Sequence, residues 1–254
     1  MTSLTRSRAW LSLAASCLFL AAAPHGVAQA LDKATPEQII ETRLSQADPN
    51  MPIESIVPSG APGLYEVTLS GGLVLYTTAT GDFFVLGDLF AVRQGGLANL
   101  SEDKRRAQRV ELLAGVPEEE MIVFEPKGEV RATVSVFTDV DCFYCQKFHS
   151  EVPTLNDMGI RVRYLAWPRD GVGGAAYRKI ASAWCSDDRQ AALTQLKNKR
   201  SIPDNVCPGN PVAEQMILGE KAGVQGTPAL VFENGQLLGG YVPAPQLAAR
   251  LGLD

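Results

Sequence analysis

Two cysteines at positions 142 and 145 are the residues of this chain with the clearest capacity for chemistry. The thiolate is the nucleophilic form of cysteine, and two cysteines at this spacing lie about one turn apart on a helix. Such a pair can attack a disulfide, form a mixed disulfide, and then close into a disulfide of its own. The spacing of Cys142 and Cys145 therefore predicts thiol–disulfide exchange.

The residues around this pair predict a strand-to-helix junction. Residues 132–137 are rich in β-branched and aromatic side chains, which is typical of a buried strand. A segment compatible with a helix follows, so we expect Cys142 at the helix N-terminus. Unpaired backbone N–H groups and the helix dipole favour an anion there, and the thiolate is an anion.

The remaining cysteines allow two interpretations. Of five cysteines, Cys17 lies in an N-terminal segment that we expect to be removed, so four remain. An even number in an exported protein is typical of disulfides. A four-cysteine zinc site is the alternative, but such sites usually pair two close doublets, and Cys185 and Cys207 are widely spaced. His149 is the only histidine of the mature chain. We therefore favour disulfide chemistry, with no metal and no cofactor.

The first thirty residues have the features of a secretory signal peptide. Arg6 and Arg8 precede an uncharged apolar run at residues 10–23. Ala28-Gln29-Ala30 then offers small residues for cleavage, so residues 1–30 are predicted to be removed. The apolar run is short beside the about 20 residues that a membrane-spanning helix needs, which disfavours an anchor. We expect a soluble, exported mature chain.

The charge of the chain excludes one class of partner. The whole sequence has 23 basic and 28 acidic side chains, a formal charge of −5. Removal of residues 1–30 takes away two arginines and no acid, which leaves a charge near −7. An acidic balance of this size argues against nucleic-acid binding and against docking on anionic lipid.

The N-terminal half of the mature chain is predicted to form a small domain and a linker. Residues 31–97 contain a helix that Thr35 caps, followed by short alternating strands. A domain this small buries little apolar surface, so we expect it to associate, most simply with a second copy of itself. Residues 98–116 are typical of a charged linker helix that Ser101 caps and that solvent surrounds.

Residues 117–254 alternate strands and helices and are predicted to form an α/β domain without a phosphate-binding loop. Asn234-Gly235 predicts a late hairpin, and Gly226-Thr227-Pro228-Ala229 stands just before its first strand. A strand, a Cys-x-x-Cys pair and a helix, followed by Thr-Pro before a hairpin, resemble the thioredoxin fold. In that family the proline is cis and faces the cysteines, which implies the same for Pro228.

A more specific resemblance covers essentially the whole mature chain. It is similar to the bacterial periplasmic disulfide isomerases of the DsbC/DsbG family. Besides the cysteine pair, the segments that carry this resemblance are Phe137-Thr138-Asp139, Lys147, His149, residues 162–169, Ala183-Trp184-Cys185, residues 223–229 and residues 239–243.

The resemblance implies an α+β N-terminal dimerisation domain joined by the linker helix to an α/β thioredoxin fold with a helical insertion. It implies a V-shaped homodimer in the periplasm whose apolar cleft holds misfolded disulfide-containing proteins. It implies that a DsbD-type membrane reductant keeps the active pair reduced. Cys185 and Cys207 match the family's structural disulfide in the insertion.

The chemistry of exchange assigns a role to each active cysteine. Cys142 attacks a substrate disulfide, and Cys145 resolves the mixed disulfide if it stalls. Thr227 and Pro228 are expected to shape the substrate groove together with Phe143 and Tyr144. Phe143 departs from the family, which often has glycine at that position, so the redox potential does not carry over.

Two other functions remain open. One is a DsbG-like reductase of sulfenylated cysteines, which would use the same fold and the same cysteines. The other is a periplasmic holdase without catalysis, against which the cysteine pair argues. Near the pair, Asp139 and Asp141 are expected in solvated-loop or capping roles rather than in proton transfer. His149 lies about two helical turns from Cys142, so we expect it to pack or to face solvent.

Overall fold

The computed structural model describes residues 34–253 with the exception of Gly71. The predicted signal peptide, residues 1–30, lies outside the described residues and remains a prediction. Within the part of the chain that the structure describes, no helix has the length and apolar character needed to cross a membrane.

The first part of the fold is a four-stranded antiparallel sheet covered by one helix. The helix begins at the predicted capping box, in which Thr35 and Gln38 bond to each other's backbone. Ile40 and Leu44 on the helix are buried against the sheet. The elements are α1 (Pro36–Ala47), β1 (Ile53–Pro58), β2 (Leu64–Leu69), β3 (Val74–Thr78) and β4 (Phe84–Leu86), in the sheet order β1-β2-β3-β4.

A hairpin leads from this sheet into the linker helix. It consists of β5 (Phe90–Arg93) and β6 (Gly96–Asn99), and the helix α2 (Leu100–Ala114) follows at once. The prediction that Ser101 caps the helix is wrong, because the Asn99 side chain accepts the capping bond at 2.9 Å. Ser101 is buried instead, and its hydroxyl lies 2.7 Å from both the Tyr76 hydroxyl and the Leu89 backbone nitrogen.

The linker helix is not the solvent-surrounded spacer that its charge pattern predicts. Arg109 is only 4% exposed. Its guanidinium group donates to the carbonyls of Ala222 at 2.8 Å and Gly235 at 3.1 Å, both in the C-terminal half of the chain. Gly235 has a φ of +76°, and a Cβ there would lie 2.0 Å from the Arg106 carbonyl oxygen. Only glycine lets the late hairpin approach the linker helix this closely.

The C-terminal half is a five-stranded sheet with helices around it. The sheet order is β11-β10-β8-β9-β7, in which β8 and β9 are parallel and the other pairs antiparallel. After a short 3₁₀ turn (Glu118–Glu120), the elements are β7 (Ile122–Phe124), β8 (Ala132–Thr138), α3 (Phe143–Ser150), α4 (Val152–Asp157), β9 (Ile160–Ala166), α5 (Ala175–Trp184), α6 (Arg189–Lys197), α7 (Val212–Lys221), β10 (Ala229–Phe232), β11 (Leu237–Gly239) and α8 (Ala244–Arg250).

The central strand β8 positions the cysteine pair. All seven of its residues are buried, as expected for a strand that elements cover on both faces. Helices α5 and α6 form the insertion between β9 and the last strands, and α6 packs against both α5 and α3. Trp184 at the end of α5 is fully buried in the core, where its indole N–H donates to the Glu120 carbonyl at 2.8 Å.

Candidate active site

The two cysteines lie where the sequence places them, at the start of helix α3. Cys142 is the N-cap residue, and the backbone N–H of Gln146 donates to the Cys142 carbonyl at 3.0 Å. Cys145 faces inward from the first turn of the helix and is completely buried. Both thiols are free. Cys142 keeps 4% of its surface exposed and Cys145 none, so the first sulfur is the outer one of the pair and the second lies behind it.

The Thr227–Pro228 peptide stands opposite Cys142. Its bond is cis, as the family resemblance implies. Because Ala229 pairs with Phe137 near the end of β8, the segment just before β10 lies beside the loop that leads into α3. The Cys142 sulfur lies 3.2 Å from the Thr227 carbonyl oxygen, to which Cys142 donates while it is protonated.

The environment separates the acidities of the two thiols. A hydrogen bond from the Cys145 thiol is the largest influence on Cys142, and together with the nearby positive charge of Arg169 it outweighs burial and lowers the pKa of Cys142 to about 5. Burial and the same hydrogen bond raise the pKa of Cys145 well above its ordinary value. Cys142 is thus the thiolate at neutral pH, and Cys145 is a buried thiol.

Of the two roles expected for Asp139, the solvated loop is wrong, and the local bond to the backbone is the one that the structure has. Asp139 is 1% exposed, and its carboxylate accepts hydrogen bonds from the Asp141 backbone at 2.7 Å and from the Arg169 backbone and Nε at 3.0 and 2.9 Å. Burial raises the pKa of this carboxyl, but the hydrogen bonds from Arg169 and Asp141 outweigh it, so the pKa lies below its ordinary value. Asp139 therefore fixes the loop before Cys142. Asp141 is exposed and pairs with Lys179 at 2.9 Å.

Of the two roles expected for His149, packing or facing solvent, the structure has the packing role. The Nδ1 of His149 lies 3.0 Å from the Tyr164 hydroxyl, and its Nε2 lies 3.0 Å from the Thr194 hydroxyl on α6. Burial, with a smaller contribution from the charge of Lys197, lowers the pKa of His149 to about 3. The imidazole is therefore neutral and holds helices α3 and α6 together.

Lys197 is a residue near the site that the sequence reasoning missed. It is 3% exposed, and its amine donates to the Thr138 hydroxyl at 2.5 Å and to the Asp139 carbonyl at 2.9 Å. One signal was available, because Lys197 follows the buried Leu193 by four positions and so shares its helix face. A lysine on an amphipathic helix is ordinarily a surface residue, so this spacing alone does not predict a buried lysine.

Aromatic side chains surround the mouth of the site. Phe143 and Tyr144, between the cysteines, are 65% and 55% exposed. Tyr144 stacks on Tyr241 with ring centroids 6.5 Å apart, and the Lys147 amine lies 4.5 Å above the Tyr241 ring. The Tyr241 hydroxyl donates to Glu151, which fixes the ring. These rings form an apolar surface next to Cys142.

The second pair of cysteines forms a disulfide. Cys185 at the end of α5 is bonded to Cys207, 22 positions later, with Cα atoms 5.7 Å apart. Both sulfurs are consumed by this bond, so the four-cysteine zinc interpretation is wrong. Among the described residues, no group of three or more histidine, cysteine or acidic side chains is arranged to hold a metal ion.

Comparisons with known proteins agree with this architecture. Residues 26–102 match the model of the disulfide bond isomerase protein N-terminal domain, and residues 117–253 match that of a thioredoxin-like domain. The thiol:disulfide interchange protein DsbC of Escherichia coli K12 is 32% identical over 228 residues, which is 90% of each chain. DsbC of Pasteurella multocida is 34% identical over 182 residues, 70% of this chain and 75% of that protein.

A solved disulfide interchange protein from Neisseria gonorrhoeae is 34% identical, with a TM-score of 0.48, and the match covers 54% of this chain and 96% of that one. The two domain matches and the relatives that align with most of both chains carry the assignment. The chain belongs to the DsbC family of thiol:disulfide interchange proteins.

Proposed function

We propose that this protein is a periplasmic disulfide isomerase in which Cys142 is the attacking nucleophile and Cys145 the resolving thiol. The observation that carries this proposal is the thiol of Cys142 at the helix N-cap, 3.2 Å from the Thr227 carbonyl, in front of a fully buried Cys145. Cys142 is only 4% exposed, but it is the outer thiol of the pair, and a thiolate at neutral pH in front of a fully buried thiol fits exchange with protein disulfides.

The reaction begins when the Cys142 thiolate attacks one sulfur of a substrate disulfide. A bond forms between Cys142 and that sulfur, the substrate bond breaks, and the second substrate sulfur leaves as a thiolate. That thiolate can attack another disulfide of the substrate, and a substrate thiol finally displaces Cys142. The net change is a rearranged set of substrate disulfides with no electrons gained or lost.

A stalled mixed disulfide needs a second route. Cys145 loses its proton and attacks the Cys142 sulfur, so that the substrate leaves reduced and Cys142 and Cys145 form a disulfide. Two electrons have then passed from the enzyme to the substrate. A DsbD-type membrane reductant is the partner that we propose returns them.

We propose that the substrate chain lies in a groove formed by Thr227, Pro228, Phe143 and Tyr144. The Thr227 backbone stands next to Cys142 and can pair with an extended substrate segment, as an added strand does. The exposed rings beside it suit apolar side chains of misfolded proteins, which supports chaperone-like binding.

We propose a homodimer that the domain of residues 31–97 joins. Strand β4 is at the edge of its sheet, where backbone groups are free to pair with another strand. Large apolar side chains are exposed on this edge and on the following hairpin: Phe83, Phe84, Val85, Leu86, Phe90, Val92 and Leu97. A patch of this kind favours a permanent partner, and a second copy is the simplest one.

Sedimentation of the mature chain tests the homodimer. The protein is expected to sediment as a dimer, and Val85→Lys, which places a charge in the patch, should shift it toward monomer. Lys179→Ala, on the exposed surface near the active site, serves as the control and should leave the dimer intact. A wild-type monomer at micromolar concentration would contradict the proposal.

Refolding of a scrambled protein with several disulfides tests the catalytic roles. Cys142→Ala should abolish the recovery of native substrate, whereas Cys145→Ala should retain isomerisation and accumulate mixed disulfides. Those trapped complexes, isolated from cells, identify the natural substrates. Isomerisation that persists in Cys142→Ala would overturn the proposal.

A further inference from the structure

Lys197 is a fully enclosed cation next to the active site. Its amine contacts a hydroxyl and a backbone carbonyl, and it lies 5.9 Å from the centre of the Tyr164 ring. Among the described residues, no carboxylate oxygen lies within 4.0 Å of it. A buried ammonium group without a paired carboxylate is unfavourable unless another group nearby carries negative charge.

The nearest acid does not neutralise Lys197. Asp139 offers it only the backbone carbonyl, because the carboxylate of Asp139 bonds to Arg169 and to the Asp141 backbone. The charge of Lys197 is therefore available to another group that becomes negative during the reaction.

The packing of two helices brings Lys197 close to Cys145. His149 on α3 and Thr194 on α6 are joined by a hydrogen bond of 3.0 Å. One turn before His149 on its helix face is Cys145, and one turn after Thr194 is Lys197. Because the Lys197 amine bonds to Asp139, which lies before α3, the two helices run in opposite directions here and Lys197 faces the end of α3 that carries Cys145.

We propose that Lys197 is a positioning residue for the resolving half-reaction, in which its buried ammonium group stabilises the thiolate of Cys145 as that thiolate forms. This inference rests on the proposed roles of Cys142 and Cys145. Cys145 is completely buried, so water does not stabilise its charge, and a fixed cation replaces the missing solvent.

The step has a defined balance of protons and electrons. Cys145 gives up its thiol proton to solvent, and its sulfur forms a bond with the sulfur of Cys142. The bond between Cys142 and the substrate breaks, and the substrate sulfur leaves with the electron pair and takes up a proton. Lys197 keeps its own protons throughout and supplies only charge.

The ionisable groups around Lys197 agree with this role. Burial lowers the pKa of Lys197 to about 8, and Cys145 is the largest of the groups that raise it again. The effect is mutual, since Lys197 is the largest charged influence that lowers the pKa of Cys145. The groups whose charge changes the pKa of Lys197 are Cys145, Asp139, Cys142 and Asp141, and the charge of Lys197 in turn lowers the pKa of His149.

The test separates the two half-reactions in the full mature protein. The substrate is an asymmetric peptide disulfide whose halves carry different fluorophores, each quenched until it is released. Release of the first half reports attack by Cys142, and release of the second reports resolution by Cys145. In Lys197→Met we expect the pKa of Cys145 to rise by about one unit, which shifts the pH profile of the second release to higher pH by about one unit and lowers the thiolate about tenfold at pH 7. Because a thiolate of higher pKa is a stronger nucleophile, with a Brønsted coefficient of about 0.4–0.5, the second release should slow about three- to fourfold. The first release should change less than about 1.5-fold, well below the effect on the second release.

Lys199→Met is the matched control, since Lys199 lies two positions later and is exposed. It should leave both releases unchanged. A second release in Lys197→Met with the wild-type rate and midpoint would overturn the inference, and so would equal slowing of both releases, which indicates a structural role. Absence of the first release in the wild type would instead overturn the proposed function.

A measurement on the wild type keeps the inference testable if Lys197→Met does not fold. The pKa of Lys197, followed by nuclear magnetic resonance of its side chain, should be lower in the oxidised protein, where the disulfide removes the negative charge that the Cys142–Cys145 pair carries, than in the reduced protein. Equal values in the two forms would show that the cysteines and Lys197 are not coupled.

Discussion

Replacing Cys145 by alanine should raise the pH at which Cys142 becomes reactive. The hydrogen bond from the Cys145 thiol is the largest cause that lowers the pKa of Cys142 to about 5. Without this hydrogen bond, burial still raises the pKa of Cys142, and only weaker influences, including the charge of Arg169, lower it. We expect the midpoint of Cys142 reactivity to rise by at least about one pH unit, toward the value of about 8.5 that an ordinary cysteine has.

The midpoint of the pH profile is the informative quantity. At pH 6, a thiol with a pKa of 5 is about 90% thiolate, whereas an ordinary cysteine is below about 1%. The absolute rate at neutral pH is less informative, since a thiolate of lower pKa is intrinsically a weaker nucleophile, with a Brønsted coefficient of about 0.4–0.5. The gain in thiolate and the loss in nucleophilicity largely cancel near pH 7.

The assay is alkylation of the reduced protein by iodoacetamide between pH 3.5 and 9.5, quantified by mass spectrometry of the peptide that contains Cys142. Cys142→Ala gives the background from the buried Cys145. Phe143→Ala is the matched control, because it changes an exposed neighbour on the same helix and leaves both thiols in place. A wild-type midpoint near 8.5, or one that Cys145→Ala does not move, would refute the account of the site's electrostatics.

Three further predictions concern the elements that support the site. Arg109→Met should lower the free energy of unfolding by about 2–4 kcal/mol, because the buried carbonyls that Arg109 bonds lose their donor; Gln108→Met, at an exposed position, is the control in urea unfolding. His149 has a pKa of about 3 when folded and about 6.5 when unfolded, so the unfolded chain binds more protons between these values and stability rises with pH. His149→Gln should remove up to about 1.4 kcal/mol per pH unit from that slope, and an unchanged slope between pH 4 and 6 would contradict it. Replacement of Cys185 and Cys207 by alanine should reduce stability by about 3 kcal/mol by the chain-entropy relation and leave the Cys142 alkylation midpoint in place.

Local patterns in the sequence were sufficient to predict the centre of the site. The run of residues 132–137 predicts strand β8, and the pair that follows places Cys142 at the start of a helix, as the structure has it. The Thr35 capping box is also found. These features depend on side chains within a few residues of each other, so short-range rules describe them. The cis bond at Pro228 and the disulfide at Cys185 came from the family resemblance instead.

The features that local sequence patterns do not predict depend on contacts between distant parts of the chain. Strand β1 has no alternating pattern, since most of its residues are exposed, and only its pairing with β2 makes it a strand. Serine is a residue type that often caps helices, but the Ser101 side chain is buried and bonds to the Tyr76 hydroxyl instead. The charge pattern of the linker helix predicts a solvent-facing Arg109, and nothing in the sequence singles out Lys197, because burial of a cation depends on acceptors far away in the sequence. Residues close in the sequence to Arg109 or Lys197 do not indicate where those acceptors lie.

Arg109 links the linker helix to the elements that flank the Thr227–Pro228 segment, which we propose forms part of the substrate groove. Its two carbonyl partners, at Ala222 and Gly235, stand on either side of the segment that carries Thr227 and Pro228. One partner ends helix α7 and the other lies in the hairpin between β10 and β11. A rotation of α2 relative to the sheet must break both charge-assisted hydrogen bonds, each stronger than a bond between neutral groups. The same side chain therefore holds both elements against the linker helix, and Arg109→Met should loosen the two contacts at once.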